Sequence, residues 1–194
     1  MTTLKKNVQA RGINFIGVKK YVEMNYGEEL WQQLVSSLSP AAQAVWADTL
    51  SSGSAYPFSA FKEIIATLHS TLKTTNESEA AAVYEYIIDQ SVSSLGKIYH
   101  RMTQPSQVVR NYPQLWSRLF STGTVEVPVA TRGRGVVRFL LPDIFDEVLP
   151  AACLGYSKKA VEMGGGKDLS MTRTSYQKKD EGLFESVYEL RWSE

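Results

Sequence analysis

The stretch from about Thr124 to Trp192 constrains the fold of this chain more than any other part of it. Apolar residues take one face of its closing segment and charged residues the other: Phe184, Tyr188, Leu190 and Trp192 against Glu185, Glu189 and Arg191. A period of two is typical of a β-strand with one buried and one solvated face. We therefore predict that the chain closes with a strand over about residues 183–192, whose apolar face packs on a core.

Two further strands are predicted upstream, joined by a hairpin. Residues 124–130 alternate valines with other side chains, but Pro128 cannot donate a backbone hydrogen bond, so this strand lies at a sheet edge or ends there. The glycine-containing run around Gly133 is typical of a hairpin turn. Residues 136–141 are apolar on both faces except at Arg138, which predicts a central strand.

A helix and a fourth strand complete this part of the chain. Pro150 opens the helix, and four of its residues share one face: Cys153, Tyr156, Ala160 and Met163. Glycines 164–166 are expected to end the helix as its C-terminal cap. A strand over about residues 168–177 then precedes the closing strand.

The residues before Thr124 read as helices, with apolar side chains at helical spacing. The predicted helices cover about residues 12–26, 28–38, 41–50, 56–72, 77–102 and 108–120. Ser39 before Pro40, and Asn76 three residues before Glu79, are helix-starting signals. These patterns predict one α+β domain over residues 1–194. A mainly helical part, 1–122, packs on a ββαββ part, 123–194, that forms a four-stranded antiparallel sheet.

Composition excludes several classes of protein. The formal net charge of the 194 residues is only +1, so no global field favours nucleic acid or an anionic membrane surface. Cys153 is the one cysteine, so neither an intrachain disulfide nor a cysteine-only metal site can form. The first residues lack the apolar segment of a signal peptide, and no stretch is apolar enough to span a bilayer. We expect a cytoplasmic protein.

Two glycine-containing stretches resemble anion sites. The glycines before Lys167 follow a helix, whereas a phosphate-binding loop follows a strand and needs Gly-Lys-Ser/Thr, so we assign them to the helix cap. Arg132 and Arg134 at the hairpin tip are a weak anion-binding candidate. The alternative is that both arginines are simply solvated turn residues.

Histidine and cysteine offer few catalytic arrangements. His69 and His100 have no acidic residue or cysteine at a metal-ligand spacing, so we expect no metal site, although either histidine is a conceivable haem ligand. Cys153, near a helix start, is either a nucleophile or a small core residue. No nucleophile–base set or carboxylate pair stands out, so we predict that the chain is not an enzyme.

Aromatic residues provide the strongest functional signal. By periodicity several side chains point into the space between helices and sheet, and we take these as pocket candidates: Tyr84, Tyr99, Trp116, Phe139, Cys153, Tyr156 and Tyr188. They form either a solid core or a partly hollow one that accepts an apolar ligand.

Short motifs along nearly the whole chain resemble a known superfamily. Four runs of the second half look like the C-terminal cassette of the 4-vinyl reductase domain: Cys153-Leu-Gly-Tyr156, Val161-Glu-Met-Gly-Gly165, Lys167-Asp-Leu-Ser-Met-Thr172 and the run from Glu185 to Trp192. Three runs of the first half make the chain look still closer to an uncharacterised bacterial family of about this length: Arg11-Gly-Ile-Asn-Phe15, Tyr26-Gly-Glu28 and Tyr56-Pro-Phe58.

The resemblance implies a superfamily that also contains TRAPP-type tethering subunits and haem–NO-binding sensors. Such proteins pack helices on a four-stranded antiparallel sheet. Several of them enclose an acyl, aromatic or haem ligand between the two layers, and others are dimeric assembly surfaces. We therefore expect either a small apolar ligand or a partner protein, with a homodimer as the expected assembly.

The chain departs from two branches of that superfamily. The cysteines usual in the last strands of 4-vinyl reductase domains are replaced here by Tyr176 and by Phe184 or Ser186. Haem–NO-binding proteins carry a proximal histidine on the helix before the sheet and a Tyr-x-Ser-x-Arg motif. The matching helix here reads Leu115-Trp-Ser-Arg118, and the motif is absent from the sequence.

These observations give three functional hypotheses. The first is a non-enzymatic domain that binds a small apolar or aromatic molecule and has a regulatory role, without a cofactor. The second is a dimeric protein-interaction adaptor with a filled core. The third, which the missing histidine makes the weaker branch, is a haem-based gas sensor.

Overall fold

The computed structural model describes residues 8–91 and 104–194, and it has the predicted α+β architecture. Helices pack on one face of a four-stranded antiparallel sheet built from the C-terminal part of the chain. None of the helices within the described ranges is long and apolar enough to cross a membrane.

The N-terminal part contains two short strands and seven described helices. Its elements are β1 (Gln9–Arg11), α1 (Gly12–Tyr26), α2 (Glu28–Ser36), α3 (Pro40–Ala47), β2 (Ala55–Pro57), α4 (Phe58–Leu72), α5 (Glu77–Ser91), α6 (Pro105–Arg110) and α7 (Tyr112–Leu119). The predicted starts at Ser39 and Asn76 are confirmed. The Ser39 hydroxyl accepts from the Ala42 amide at 3.4 Å, and the Asn76 side chain accepts from the Glu79 amide at 2.9 Å.

Two expectations for this part were wrong. Tyr56 and Pro57 do not open a helix. They belong to β2, which pairs antiparallel with β1 through Ala10 and Tyr56. The helix predicted over 108–120 is two helices that meet at Asn111, because Pro113 has no amide hydrogen and its ring clashes with the carbonyl four residues earlier. The second half of the long helix predicted over 77–102 lies outside the described residues.

The C-terminal part is the predicted ββαββ unit. Its elements are β3 (Thr124–Thr131), β4 (Arg134–Pro142), α8 (Leu149–Met163), β5 (Lys167–Lys179) and β6 (Leu183–Ser193). The strand order is β3-β4-β6-β5, so β4 is central and β3 lies at an edge, as predicted. The pairing of β3 with β4 is irregular between Glu126 and Val129, on either side of the Pro128 position.

The closing strand has the predicted register. Phe184, Tyr188, Leu190 and Trp192 are buried, and Ser186 shares their face. The opposite face carries charged pairs, such as Arg134 with Glu189 and Arg138 with Glu126. The buried face of β4 and β6 is therefore the floor on which the helices pack.

Helices α5 and α8 pack against each other at very close range above this floor. A Cβ atom at Gly155 of α8 would lie 2.4 Å from the Ala81 carbonyl oxygen and 2.8 Å from the Tyr84 Cβ atom of α5. Only glycine allows this approach, which brings Tyr84 and Tyr156 together at the centre of the molecule.

Candidate functional site

Six of the seven predicted pocket residues are buried in the core, although Tyr84 packs within the helical layer, against Tyr156 of α8. Tyr84, Trp116, Phe139, Cys153, Tyr156 and Tyr188 are all buried, and Tyr99 lies outside the described residues. Their elements converge there: α5, α7 and α8 from the helical layer, β4 and β6 from the sheet. The local helix and strand periods that pointed these side chains inward are therefore correct.

The aromatic rings form one continuous network. The ring centroids of Tyr84 and Tyr156 are 5.4 Å apart, and those of Phe139 and Tyr188 are 5.9 Å apart, both with nearly perpendicular planes. Trp116 contacts Phe139 at 5.5 Å. Edge-to-face contacts of this kind are favourable and hold the rings in fixed orientations.

Polar atoms gather at the centre of this network. Around Cys153, the sulfur lies 4.0 Å from the Tyr112 hydroxyl and 3.9 Å from the Ser157 hydroxyl, and the Ser157 hydroxyl donates to the Tyr112 oxygen at 3.5 Å. We call the buried residues with polar tips the interlayer cluster: Tyr84, Tyr112, Cys153, Tyr156, Ser157 and Tyr188. Sequence reasoning missed Tyr112 and Ser157, although Ser157 follows Cys153 by one helical turn.

Asn14 connects the cluster to α1. It is fully buried, and its Oδ1 accepts the Tyr156 hydroxyl at 3.3 Å. Its Nδ2 donates to the Leu119 carbonyl at 2.7 Å and to the Arg11 carbonyl at 3.2 Å. All hydrogen-bonding groups of the amide are thus in use, and no pattern in the sequence singled this residue out.

Two hydroxyls of the cluster have no such partner. The Tyr84 and Tyr188 side chains are 0% and 1% exposed, and neither hydroxyl has a hydrogen-bond partner among the described residues. Oδ1 of Asp143, in the turn after β4, is the third buried atom of this kind. Buried polar atoms are almost always satisfied, so the Tyr84 hydroxyl is unusual. The Tyr188 hydroxyl lies near the Ser186 and Arg173 side chains, and interaction with them lowers its pKa against the effect of burial.

The cluster is electrically neutral near physiological pH. Burial raises the pKa of the Cys153 thiol to about 12, and the pKa values of Tyr84, Tyr112 and Tyr156 are also raised by burial. Burial likewise raises the pKa of Tyr188 to about 12, although Ser186 and Arg173 lie close enough to moderate the rise. These groups can donate and accept hydrogen bonds, but they supply neither a thiolate nor a general base at neutral pH.

The other sequence candidates lie elsewhere. Arg132 pairs with Glu194 at 3.0 Å, and Arg134 pairs with Glu189 at 2.7 Å, a carboxylate that Arg191 also contacts at 2.9 Å, so both arginines at the hairpin have acidic partners. His69 lies in the last turn of α4, and burial lowers its pKa. His100 lies outside the described residues. No cluster of three or more His, Cys, Asp or Glu side chains within the described ranges could hold a metal ion.

Comparison with known proteins identifies the fold. No family model and no curated protein sequence matches the chain. Solved structures match over almost its full length. The Fe(II) unliganded H-NOX protein from K. algicida is 13% identical with a TM-score of 0.68, covering 95% of this chain and 97% of that one. The chain has the H-NOX fold.

Further H-NOX structures give the same result. An oxygen-binding H-NOX domain related to soluble guanylate cyclases has a TM-score of 0.66 at 8% identity and covers 95% of each chain. A point mutant of T. Tengcongensis H-NOX has the same TM-score at 9% identity, with 95% of this chain and 98% of that chain covered. The expected resemblance to haem–NO-binding proteins is thus confirmed for the fold, while the links to 4-vinyl reductase domains, TRAPP subunits and the bacterial family stay predictions.

The described residues of the interlayer cluster do not fit a haem. Helix α7, which precedes the sheet, buries Tyr112 and Trp116 and carries no histidine. His69 lines a separate surface pocket formed by α1, α4 and α5. The cluster therefore offers no imidazole to an iron, and its polar side chains are one thiol and several hydroxyls.

Proposed function

We propose that this chain is a non-enzymatic binding domain that uses the H-NOX fold to hold a small, uncharged, largely apolar molecule instead of haem. The ligand occupies the interlayer cluster and satisfies the hydroxyls of Tyr84 and Tyr188. These two buried hydroxyls without partners are the observation that carries the proposal, because leaving such a group unsatisfied costs about 1–3 kcal/mol.

The chemistry of the cluster suits such a ligand. Aromatic rings supply most of the contact surface, and a few hydroxyls at fixed positions orient the bound molecule, as in typical small-molecule sites. The residues of the cluster are neutral, so a ligand with a full charge would lose its hydration without gaining a counter-ion among them. A regulatory role follows if binding changes the packing of α5 on α8.

The adaptor hypothesis remains the second candidate, because other parts of the core are solid. Phe58 stacks on Phe145 with centroids 4.1 Å apart, and Trp116 contacts Phe120 at 4.4 Å. If side chains fill the interlayer cluster just as tightly, the hydroxyls of Tyr84 and Tyr188 either stay without a hydrogen-bond partner or bind water. The chain would then act through its surface.

Native mass spectrometry of freshly purified protein tests the proposal directly. We expect a bound species of small mass, and uptake of a neutral fluorescent apolar probe by protein from which this species has been removed. Tyr84→Phe and Tyr188→Phe should weaken retention of both molecules. Tyr56→Phe is the matched control, since the Tyr56 oxygen accepts from the Ser51 amide at 2.9 Å outside the cluster.

Thermal stability separates the two hypotheses. If the two hydroxyls bind no molecule, Tyr84→Phe and Tyr188→Phe each remove an unsatisfied polar group. Both variants should then melt at or above the wild-type temperature. That result, together with no copurifying molecule and no probe uptake, contradicts the binding proposal and supports the adaptor. The mass spectrum also shows whether the protein is a dimer.

A further inference from the structure

A second pocket lies at the surface, where the C-terminal ends of α1 and α4 meet the start of α5. Its volume is about 230 Å³, and it is open to solvent on one side. This is the space of about eight water molecules at ~30 Å³ each. The described residues that line it are Tyr21, Tyr26, Leu68, His69, Leu72, Thr74, Glu79 and Val83. None of them belongs to the interlayer cluster.

The walls of this pocket combine aromatic rings with an apolar floor. Tyr21 and Tyr26 have ring centroids 6.1 Å apart and planes inclined at 66°, so the two rings form a corner. Tyr26 is 43% exposed, which leaves much of its ring surface available. Leu68 and Val83 are buried beneath.

Glu79 is held in place at the rim. Its Oε1 accepts from the Asn76 side chain at 2.7 Å, and its Oε2 accepts from the Thr75 amide at 3.1 Å. These bonds belong to the N-terminal cap of α5, and they fix the carboxylate while leaving further lone pairs for a ligand.

The charge of the lining favours a cation. Glu79 is its acidic residue, and the described lining contains no lysine or arginine. Burial lowers the pKa of His69, so this imidazole is neutral at physiological pH, and burial raises the pKa of Tyr21, which keeps its phenol neutral. Two aromatic rings beside one carboxylate attract an ammonium group through the ring quadrupoles and through Coulomb attraction.

We propose that this pocket binds a small organic cation, with an alkylammonium group against the rings of Tyr21 and Tyr26 and beside the carboxylate of Glu79. The site is independent of the interlayer cluster and of any function assigned to it. It gives the chain a surface site for amines of the choline type.

Choline and its uncharged carbon isostere, in which a tert-butyl group replaces the trimethylammonium group, are suitable probes. Amide chemical shifts of the full chain report binding residue by residue. We expect choline to shift the amides around Tyr26, His69 and Glu79 in a saturable way, and we expect the isostere to leave them unchanged. Equal shifts with the isostere, or no shifts with millimolar choline, overturn the proposal.

Variants test the two parts of the site separately. Glu79→Gln keeps a side chain able to form the cap but removes the charge, and Tyr26→Leu removes an exposed ring, so each should weaken choline binding about two- to fivefold. Glu77→Gln, in the same helical turn but outside the lining, is the matched control and should bind like the wild type. If the Glu79 and Tyr26 variants both bind choline with wild-type affinity, the ammonium site is wrong.

Discussion

Asn14 and Tyr156 are 142 positions apart in the sequence, and their side chains are joined by a buried hydrogen bond of 3.3 Å. The same asparagine donates to the Leu119 carbonyl, so one amide ties the first turn of α1 to the end of α7 and the middle of α8. It is a buried polar connection between the interlayer cluster and α1.

Replacement of Asn14 should therefore destabilise the whole domain. In Asn14→Ala the Tyr156 hydroxyl and the Leu119 carbonyl lose their partner inside the core, which should lower the free energy of unfolding by about 1–3 kcal/mol. Urea denaturation measures the change. Asn25→Ala, which removes an exposed side chain bonded only to the Tyr21 carbonyl, should stay within about 0.5 kcal/mol of the wild type. Equal effects of the two changes would show that the buried network contributes nothing.

Cys153 should be chemically inert in the folded protein. Burial raises the pKa of its thiol to about 12, so the reactive thiolate is rare at neutral pH, and the side chain is also shielded from solvent. A chromogenic disulfide reagent should label the native protein no faster than the protein unfolds, and should label it at once in denaturant. Rapid labelling of the native state is the result that would contradict the buried position.

The sequence predicted the sheet well because its signals are local. The period of two in β6, the proline in β3 and the apolar run of β4 each depend on residues adjacent in the chain. The glycine and proline signals around Gly133 and Pro150 are equally local. These local signals therefore predicted that β3 lies at an edge of the sheet and that β4 is central.

The missed features depend on contacts between distant segments. Strand β2 has three residues, and it forms because Tyr56 pairs with Ala10, whereas the local spacing assigned residues 56 and 57 to the start of a helix. Asn14 looked like an ordinary polar residue of a helix, and it became a core residue only because α7 and α8 supply its partners. A short strand and a buried amide are both products of tertiary contacts.

The site was predicted in part for the same reason. Helical and strand periods correctly pointed Tyr84, Phe139, Tyr156 and Tyr188 inward. They could not place Tyr112, which opens α7 directly after the break at Asn111. Nor could they show that two of the inward hydroxyls lack partners, because that depends on the positions of every neighbouring element.

The closing strand offers a direct test of the sheet register. Trp192 is buried on the helix-facing side of β6, so Trp192→Ala should lower the free energy of unfolding by about 3–5 kcal/mol. Arg191→Ala, one residue earlier on the solvent side, should change it by less than about 1 kcal/mol. Thermal or chemical denaturation of both variants gives the comparison, and a Trp192→Ala protein that unfolds like the wild type would mean that the register is wrong.

His69 should make stability depend on pH. Burial lowers its pKa below the ordinary 6.5, so between these two values the unfolded chain binds more protons than the folded one. The stability that neutral His69 gives the folded state is therefore fully present above about pH 6.5. The free energy of unfolding decreases as the pH falls from there through the folded-state pKa. Wild-type protein should therefore lose more stability than His69→Gln between neutral and mildly acidic pH, as measured by urea unfolding. If the free energies of unfolding of the two proteins changed in parallel with pH, the lowered pKa of His69 would be contradicted.

The H-NOX fold makes haem the most informative ligand to exclude by experiment. Helix α7 offers no histidine to the space beside the sheet. We therefore expect a colourless purified protein that develops no Soret band when haem is supplied, while a haem-binding H-NOX domain treated in parallel does. A stoichiometric Soret band that disappears in His69→Ala or His100→Ala would establish haem binding through that histidine. The interlayer cluster would then have to open to admit the porphyrin, and the neutral-ligand proposal would fail with it.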